Sequence, residues 1–205
     1  MDNQPRAVIV GAGPNGLTAA ARLAMAGWSV DIYERADWAG GAAASSAEIF
    51  PGTIVDLGAA GHPFGVASPA FHALDLESHG LRWLNAPYPM AHPLEGAPAG
   101  ILQSSLADTA AELGVDAHAW TRLHGHIVRH IDEHVANALT PLVRWPDRPV
   151  RLAQFGAAGT LPASQLGRAA FATPQARALF AGSAVHAITS PTRPFTSAFG
   201  LLFGG

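Results

Sequence analysis

Short apolar runs, a glycine turn and an amphipathic stretch follow one another in the first part of the chain. Residues 7–10 are apolar and include two β-branched side chains, which predicts a strand buried on both faces of a parallel sheet. From residue 17 to 24 leucine and alanine recur at helical spacing. Gly27 ends this helix, and residues 29–33 form a second apolar strand. The pattern predicts a complete βαβ unit.

The middle of the chain changes to turn-bounded strands. Residues 88–92 and 99–104 are strand-like, and prolines, a glutamate and a glycine separate them, which predicts a hairpin. Ser104 or Ser105 can cap a short helix that ends at Gly114. The sequence therefore predicts strands first and helices afterwards in this region.

The last ninety residues read mainly as helices. Asp116 can cap a longer helix that extends to about Leu139. Thr173 precedes Pro174, and proline at the first helical position is typical of a helix start. The apolar face of that helix consists of Ala176, Leu179, Phe180 and Val185. The final apolar residues predict one more helix.

Composition narrows the classes of function. The chain has 205 residues, half of them apolar, and a formal net charge of -3 with no clustered basic surface, which argues against nucleic acid as a partner. Without cysteine, disulfides and thiolate chemistry are excluded. No apolar run approaches the ~20 residues of a membrane span, and the first residues do not resemble a signal peptide. We therefore expect a cytoplasmic protein.

The turn between the two predicted strands has the spacing of a dinucleotide-binding motif. Gly11 permits the tight turn, Gly13 lets backbone amides approach a diphosphate, and Gly16 allows close packing of helix on strand. The helix N-terminus favours the phosphate charge, and Glu34 can accept hydrogen bonds from ribose hydroxyls while repelling the 2′-phosphate of NADP. The residues predicted to bind the cofactor here are Gly11, Gly13, Pro14, Asn15, Gly16, Glu34 and Arg35.

A second glycine pair distinguishes the candidate dinucleotides. Gly40 and Gly41 open a stretch rich in alanine and serine, where backbone can approach a ligand closely, although such a pair is also common in flexible turns. We add both glycines to the predicted cofactor site. An NAD-binding dehydrogenase remains an alternative, but it leaves this pair unexplained.

Five segments carry a resemblance to a known superfamily. They are "VIVGAGPNGLTAAARLAMAGWSVDIYER", "AGG", "FPGTIVDLGAAGHPF", "RALFAGSAVHAI" and "RPFTSAFGLLFGG". The chain resembles FAD-dependent amine oxidases and phytoene dehydrogenases, most closely the phytoene dehydrogenase-like oxidoreductases that include the pyridine nucleotide-disulfide oxidoreductase domain-containing proteins. The resemblance implies FAD as cofactor, a small apolar polyene or lipid-like substrate that loses a hydride to the flavin, and an external electron acceptor.

The expected fold class follows from the motif and the resemblance together. We expect an α/β protein with part of a Rossmann-like FAD-binding domain in residues 1–65, followed by a partial α+β substrate domain in 66–205. Members of the resembling family are about twice as long, so the fold is expected to be incomplete at the C-terminus. A catalytically incomplete fragment, or one subunit of a split flavoprotein completed by a second chain, is therefore an alternative. Ala44 stands where the family has a phosphate-neutralising arginine, which predicts weaker FAD binding.

Histidines supply the remaining candidate chemistry. His126, His130 and His134 recur every four residues and could meet on a metal, but the apolar residues beside them favour partly exposed side chains flanking a buried seam, and no metal is predicted. His62 lies in a segment that passes near the flavin in the resembling proteins. It is a candidate acid-base or orienting residue, and a purely structural role in its proline-bearing turn is the alternative.

Overall fold

The computed structural model describes residues 4–139 and 149–205, and it contains two compact units, Met1–Trp83 and Leu84–Gly205. We call them the N-terminal and the C-terminal unit. The N-terminal unit contains β1 (Arg6–Val10), α1 (Pro14–Met25), β2 (Ser29–Tyr33), β3 (Ser45–Phe50), β4 (Thr53–Asp56), α2 (Pro63–Val66) and α3 (Pro69–Ala73). The C-terminal unit contains β5 (Met90–Leu94), β6 (Ala97–Leu102), α4 (Leu106–Glu112), α5 (Ala117–Arg129), α6 (Ile131–Ala138), α7 (Pro149–Gly159), α8 (Ala163–Ala170), α9 (Pro174–Ala184) and α10 (Thr196–Phe203).

The predicted βαβ unit is present. Strands β1 and β2 pair in parallel, with Val8 opposite Asp31 and Val10 opposite Tyr33. Helix α1 crosses between them, begins with Pro14 and ends before Gly27, whose φ of 84° requires the left-handed conformation that glycine tolerates. The glycine positions and the spacing of the apolar residues therefore predict the types and the order of these elements correctly.

One face of this sheet is exposed, so the predicted burial of β1 on both faces is wrong. Exposed and half-buried residues alternate along the strand, and the side chains of Val8 and Val10 are 63% and 87% exposed. Ile9 points to the other face, within contact of Gly16 in α1. A parallel strand is buried on both faces only when elements cover each of them. Among the described residues, the face that carries Val8 and Val10 has no such cover.

The remainder of the N-terminal unit was not predicted as regular structure. Strands β3 and β4 form an antiparallel hairpin that turns at Pro51 and Gly52. The chain then continues through two short helices to Trp83, whose ring packs against Gly65. Because of this return contact the unit extends to residue 83, whereas the sequence placed the boundary after residue 65.

The C-terminal unit begins with the predicted hairpin, although its strands are shifted. Pro93 belongs to β5 rather than to the connection, and only Glu95 and Gly96 form the turn. Gly96 has a φ of 69°, as tight two-residue turns require. The edge position of β5 in a two-stranded sheet tolerates a proline, which explains why the strand continues past the expected end.

Helix α9 forms the centre of the C-terminal core. It starts as predicted, with the Thr173 hydroxyl accepting a hydrogen bond from the Ala176 amide and proline at the first helical position. Phe180 is fully buried, and Gly200 of α10 lies against its ring. Val185 was predicted on the same apolar face, but it lies in a 3₁₀ turn after the helix and is half exposed.

Two predictions about the middle helices are wrong. Asp116 does not cap α5 with its side chain; instead its buried carboxylate accepts hydrogen bonds from the Ala172 and Thr173 amides, at 2.7 and 2.8 Å, and from the Thr173 hydroxyl. Burial opposes ionisation of Asp116, but these hydrogen bonds outweigh it and lower its pKa. The expected long helix is also interrupted at His130, where φ is -129° and α5 ends. Asp116 thus anchors the start of α9.

Helices α7 and α8 were not predicted from the sequence. The connection before α7 lies outside the described residues. Within the described ranges, none of the helices combines the length and the apolar character needed to cross a membrane.

Candidate dinucleotide site

The glycine turn after β1 exposes backbone amides at the start of α1. The Gly13 carbonyl accepts the first intrahelical bond, from Leu17 at 2.9 Å, and no side chain caps this helix end. Pro14 has no amide hydrogen, so the first free donors of the helix are the amides of Asn15 and Gly16. Free amides and the positive end of the helix dipole together favour an anionic group at this position.

Close packing inside the turn depends on missing side chains. A Cβ atom on Gly16 would lie 2.0 Å from the carbonyl oxygen of Gly11, far inside van der Waals contact. Gly11 has a φ of 99° and donates its amide hydrogen to the Tyr33 carbonyl at 2.7 Å, which ties the turn to the end of β2. Gly11 and Gly16 therefore play the structural parts that the motif assigned to them.

The second glycine pair lies directly on the first turn. The Gly40 amide donates to the Ala12 carbonyl at 2.8 Å, and a Cβ atom on Gly41 would lie 2.9 Å from the Cα atom of Gly13. Gly40 and Gly41 both have positive φ, at 120° and 53°. The two glycine segments, separated by more than twenty residues in the sequence, thus form one side-chain-free surface.

Glu34 connects the first glycine turn to the chain that follows β2. One carboxylate oxygen accepts a hydrogen bond from the Ala12 amide at 2.7 Å, and the other accepts from the Ala36 amide at 2.9 Å. The bonds from Ala36 and Ala12 lower the pKa of the carboxyl group, which is therefore ionised throughout the neutral range. An ionised carboxylate has about four acceptor positions. Two partners leave it able to accept further hydrogen bonds from a ligand hydroxyl.

Four backbone contacts in this region are not predicted from the sequence. Ala12 is buried between the two glycine segments, and its amide and carbonyl groups bond to Glu34 and Gly40. After β4 the chain returns to the same place: the Ala59 amide donates to the Ala42 carbonyl at 2.7 Å, and a Cβ atom on Gly58 would lie 2.7 Å from that oxygen. These residues act through backbone atoms and carry no functional side chain. The run of small residues "LGAAG" was the available signal.

Ala44 and Arg35 occupy different environments. Ala44 is buried and packs against Gly40, so this position is part of the interior of the turn. Arg35 is exposed beside Glu34, and its charge contributes to the lowered pKa of that carboxyl group. Its predicted contact with a cofactor remains a prediction.

His62 lies at the start of α2 and is exposed. Its carbonyl accepts the Gly65 amide at 2.9 Å, but its imidazole does not cap the helix. Among the described residues the ring makes no hydrogen bond that would hold it in the turn. Its acid-base role remains a prediction.

The three periodic histidines lie together in the C-terminal unit. The ring centroids of His126 and His130 are 4.8 Å apart, and those of His126 and His134 are 6.1 Å apart. His134 is buried rather than partly exposed, and the Phe155 ring of α7 packs against it. In residues 4–139 and 149–205, no cluster of three or more histidine, aspartate or glutamate side chains is arranged to hold a metal ion.

Comparison with known proteins matches the region of the candidate site to a known domain family. Residues 9–75 match the family model of an NAD(P)-binding Rossmann-like domain. Among solved structures, a variant of putrescine oxidase made for the redesign of cofactor binding superposes with a TM-score of 0.55 at 19% sequence identity. The match covers 96% of this chain and 40% of that one, so the chain spans well under half of the matched structure. The predicted α/β fold with a Rossmann-like dinucleotide-binding unit is confirmed.

Proposed function

We propose that the N-terminal unit binds FAD and that the chain acts in an FAD-dependent oxidoreductase of the amine oxidase type. One observation carries the proposal: two glycine segments touch through their backbones, and the Glu34 carboxylate accepts a hydrogen bond from Ala12 in the first of them. The family model supports a dinucleotide ligand. The likeness to putrescine oxidase, an FAD amine oxidase, supports FAD as that ligand.

The residues fit the two halves of such a ligand. The amides of Asn15 and Gly16 are available to a diphosphate, and the absence of side chains at Gly13 and Gly41 allows its close approach. The free acceptor positions of Glu34 suit ribose hydroxyls. NAD would contact the first glycine turn alone, whereas FAD would also contact the second glycine pair.

The substrate part of the proposal rests on the resemblance to phytoene dehydrogenase-like proteins. When bound, FAD would accept the hydride lost by a substrate C–H bond, and an external acceptor would then remove the electrons. We propose a small apolar polyene or lipid-like substrate. His62 is the candidate for holding the proton released in the same oxidation, because its imidazole is exposed and not committed to the turn. The proposed location is cytoplasmic.

Anaerobic reduction of the bound flavin tests this function. FAD-loaded protein mixed with phytoene should lose its flavin absorbance, and His62→Gln should slow the loss at least about tenfold while retaining FAD. His72→Gln, also exposed in the N-terminal unit, is the matched control and should react at the wild-type rate. Bleaching by putrescine instead of phytoene would replace the apolar substrate by an amine. Bound FAD that neither compound reduces would contradict an oxidoreductase role for the chain alone.

The exposed sheet face favours a second candidate, in which the chain is one part of a larger flavoprotein. Val8, Val10 and Tyr33 are apolar or aromatic and largely exposed on the paired parallel strands. Parallel sheets are normally covered on both faces, and the matched solved structure is much longer than this chain. We propose that further polypeptide of the same fold, in a second chain or in a continuation of this one, covers this face.

Introducing a charged side chain on that sheet face distinguishes the two candidate functions. Val10→Asp should change the free energy of unfolding of the isolated chain by less than about 0.5 kcal/mol, because the side chain is exposed there. The same change should abolish co-purification with a polypeptide that corresponds to the remaining length of the fold. Val115→Asp, at a similarly exposed valine of the C-terminal unit, is the control and should leave co-purification intact. Equal co-purification of both variants would contradict the proposed covering.

A further inference from the structure

The histidine cluster of the C-terminal unit connects three helices through polar contacts. We define it as His126 on α5, His130 at the break between α5 and α6, and His134 on α6. Helix α7 joins it through two side chains: Arg151 contacts His130 and Glu133, and Phe155 packs against His134 with ring centroids 4.9 Å apart. The cluster therefore holds α7 against the α5–α6 break.

The contact between Arg151 and His130 fixes a protonation state. The Nη1 atom of Arg151 lies 3.1 Å from Nδ1 of His130. A guanidinium group can only donate hydrogen bonds, so Nδ1 must carry a free lone pair and the imidazole must be neutral. Protonation would place an N–H group against an N–H group and end this bond. The contact exists only while His130 is neutral.

The surroundings of His134 also disfavour its charge. The side chain is 5% exposed, and its Nε2 atom has no hydrogen-bond partner, so a proton added there would have no acceptor. The Nε2 atom of neighbouring His126 is likewise buried without a partner. The His126 ring lies 4.8 Å from that of His130 and 6.1 Å from that of His134, so positive charges on neighbouring imidazoles would repel each other.

Within residues 4–139 and 149–205, charged side chains of all three helices act on the cluster. Arg129 of α5 and Arg151 of α7 add positive charge, and Glu133 of α6 opposes it. Helix α10 also packs against α5 and α7, but it carries no titratable side chain. Burial, assisted by the neighbouring cations and histidines, lowers the pKa of both His130 and His134 despite Glu133.

We propose that the histidine cluster is a pH-sensitive latch, which holds α7 against α5 and α6 at neutral pH and releases it in mild acid. Histidines whose pKa is lowered by folding stabilise the closed form fully above the ordinary value of 6.5 and lose that contribution as pH falls below it. Opening should therefore begin below pH 6.5. The latch lies within the C-terminal unit and does not depend on the proposed cofactor.

Hydrogen exchange of the full chain tests the latch. Between pH 7.5 and 5.5, after correction for intrinsic exchange, the open population of α7 should rise more than about fivefold, the effect of losing one hydrogen bond. Helix α8, which carries no histidine, should change less than about twofold. Unchanged protection of α7, or equal loosening of α7 and α8, would overturn the proposal.

A matched pair of variants identifies the titrating group. His130→Gln keeps an acceptor for Arg151 but does not titrate, so most of the acid response of α7 should disappear. His118→Gln removes an exposed histidine of α5 and should retain the full response. A full response in His130→Gln would overturn the proposal. If that variant does not fold, the wild-type comparison of α7 with α8 remains decisive.

Discussion

Replacing Gly16 with alanine should destabilise the N-terminal unit by about 3 kcal/mol and abolish dinucleotide binding. The new methyl group would lie 2.0 Å from the Gly11 carbonyl oxygen, which is backbone and cannot rotate away. Gly11 is itself held by its hydrogen bond to Tyr33, so relief of the clash would separate the turn from β2. The amides at the start of α1 would then no longer face a diphosphate. Denaturant unfolding and FAD titration measure the two effects.

Gly156 offers a matched control for that substitution. It also lies within a helix, α7, but a Cβ atom there meets nothing within 4 Å. Gly156→Ala should therefore stabilise its unit by about 0.5–1 kcal/mol through helix propensity alone, and FAD binding should not change. Equal effects of the two substitutions would show that helix propensity, rather than the close approach of Gly16 to Gly11, governs the turn.

Replacing Glu34 with glutamine should weaken FAD binding about a hundredfold. Glutamine retains the size of the side chain but places an NH₂ group where the carboxylate accepts from Ala12 or Ala36. It also weakens the acceptor offered to ribose hydroxyls. Calorimetric titration with FAD measures the loss.

The same carboxylate gives a pH dependence. Since hydrogen bonds lower the pKa of Glu34, its stabilising contribution is complete above the ordinary value of 4.5 and is lost as pH falls through the lowered one.

Glu48→Gln, at an exposed position of β3 in the same unit, is the matched control for Glu34→Gln and should bind FAD as wild type does. Indistinguishable affinities of the Glu34 and Glu48 variants would remove Glu34 from the site.

Local signals predicted the dinucleotide turn well. Gly11 is required by its backbone conformation and Gly16 by close packing, and Glu34 follows the second strand at a fixed distance, so a short stretch of sequence contains most of the information. The contact of Gly41 with Gly13, in contrast, joins residues that lie far apart in the sequence. The glycine pair indicates that backbone can approach a neighbour closely, but it does not identify Gly13 as that neighbour.

The predictions were wrong where contacts with distant residues, or with other polypeptide, determine the local structure. The apolar sequence of β1 is appropriate for a strand covered on both faces, yet Val8 and Val10 are exposed because cover depends on other polypeptide. His130 interrupts a sequence with continuous helical period and no proline or glycine at the break. Asp116 precedes α5 as a capping residue would, but the amides it binds belong to residues 172 and 173. Such partners are set by tertiary packing.

Analysis of the ligand released from the purified, folded chain tests the central claim most directly. Heat denaturation followed by mass spectrometry should yield FAD in near-equimolar amount from wild type and strongly reduced amounts from Gly16→Ala and Glu34→Gln. Reconstitution with FAD, NAD and NADP should show tightest binding for FAD and weakest for NADP. Folded protein that releases no adenine nucleotide and binds none of the three on reconstitution would contradict the account.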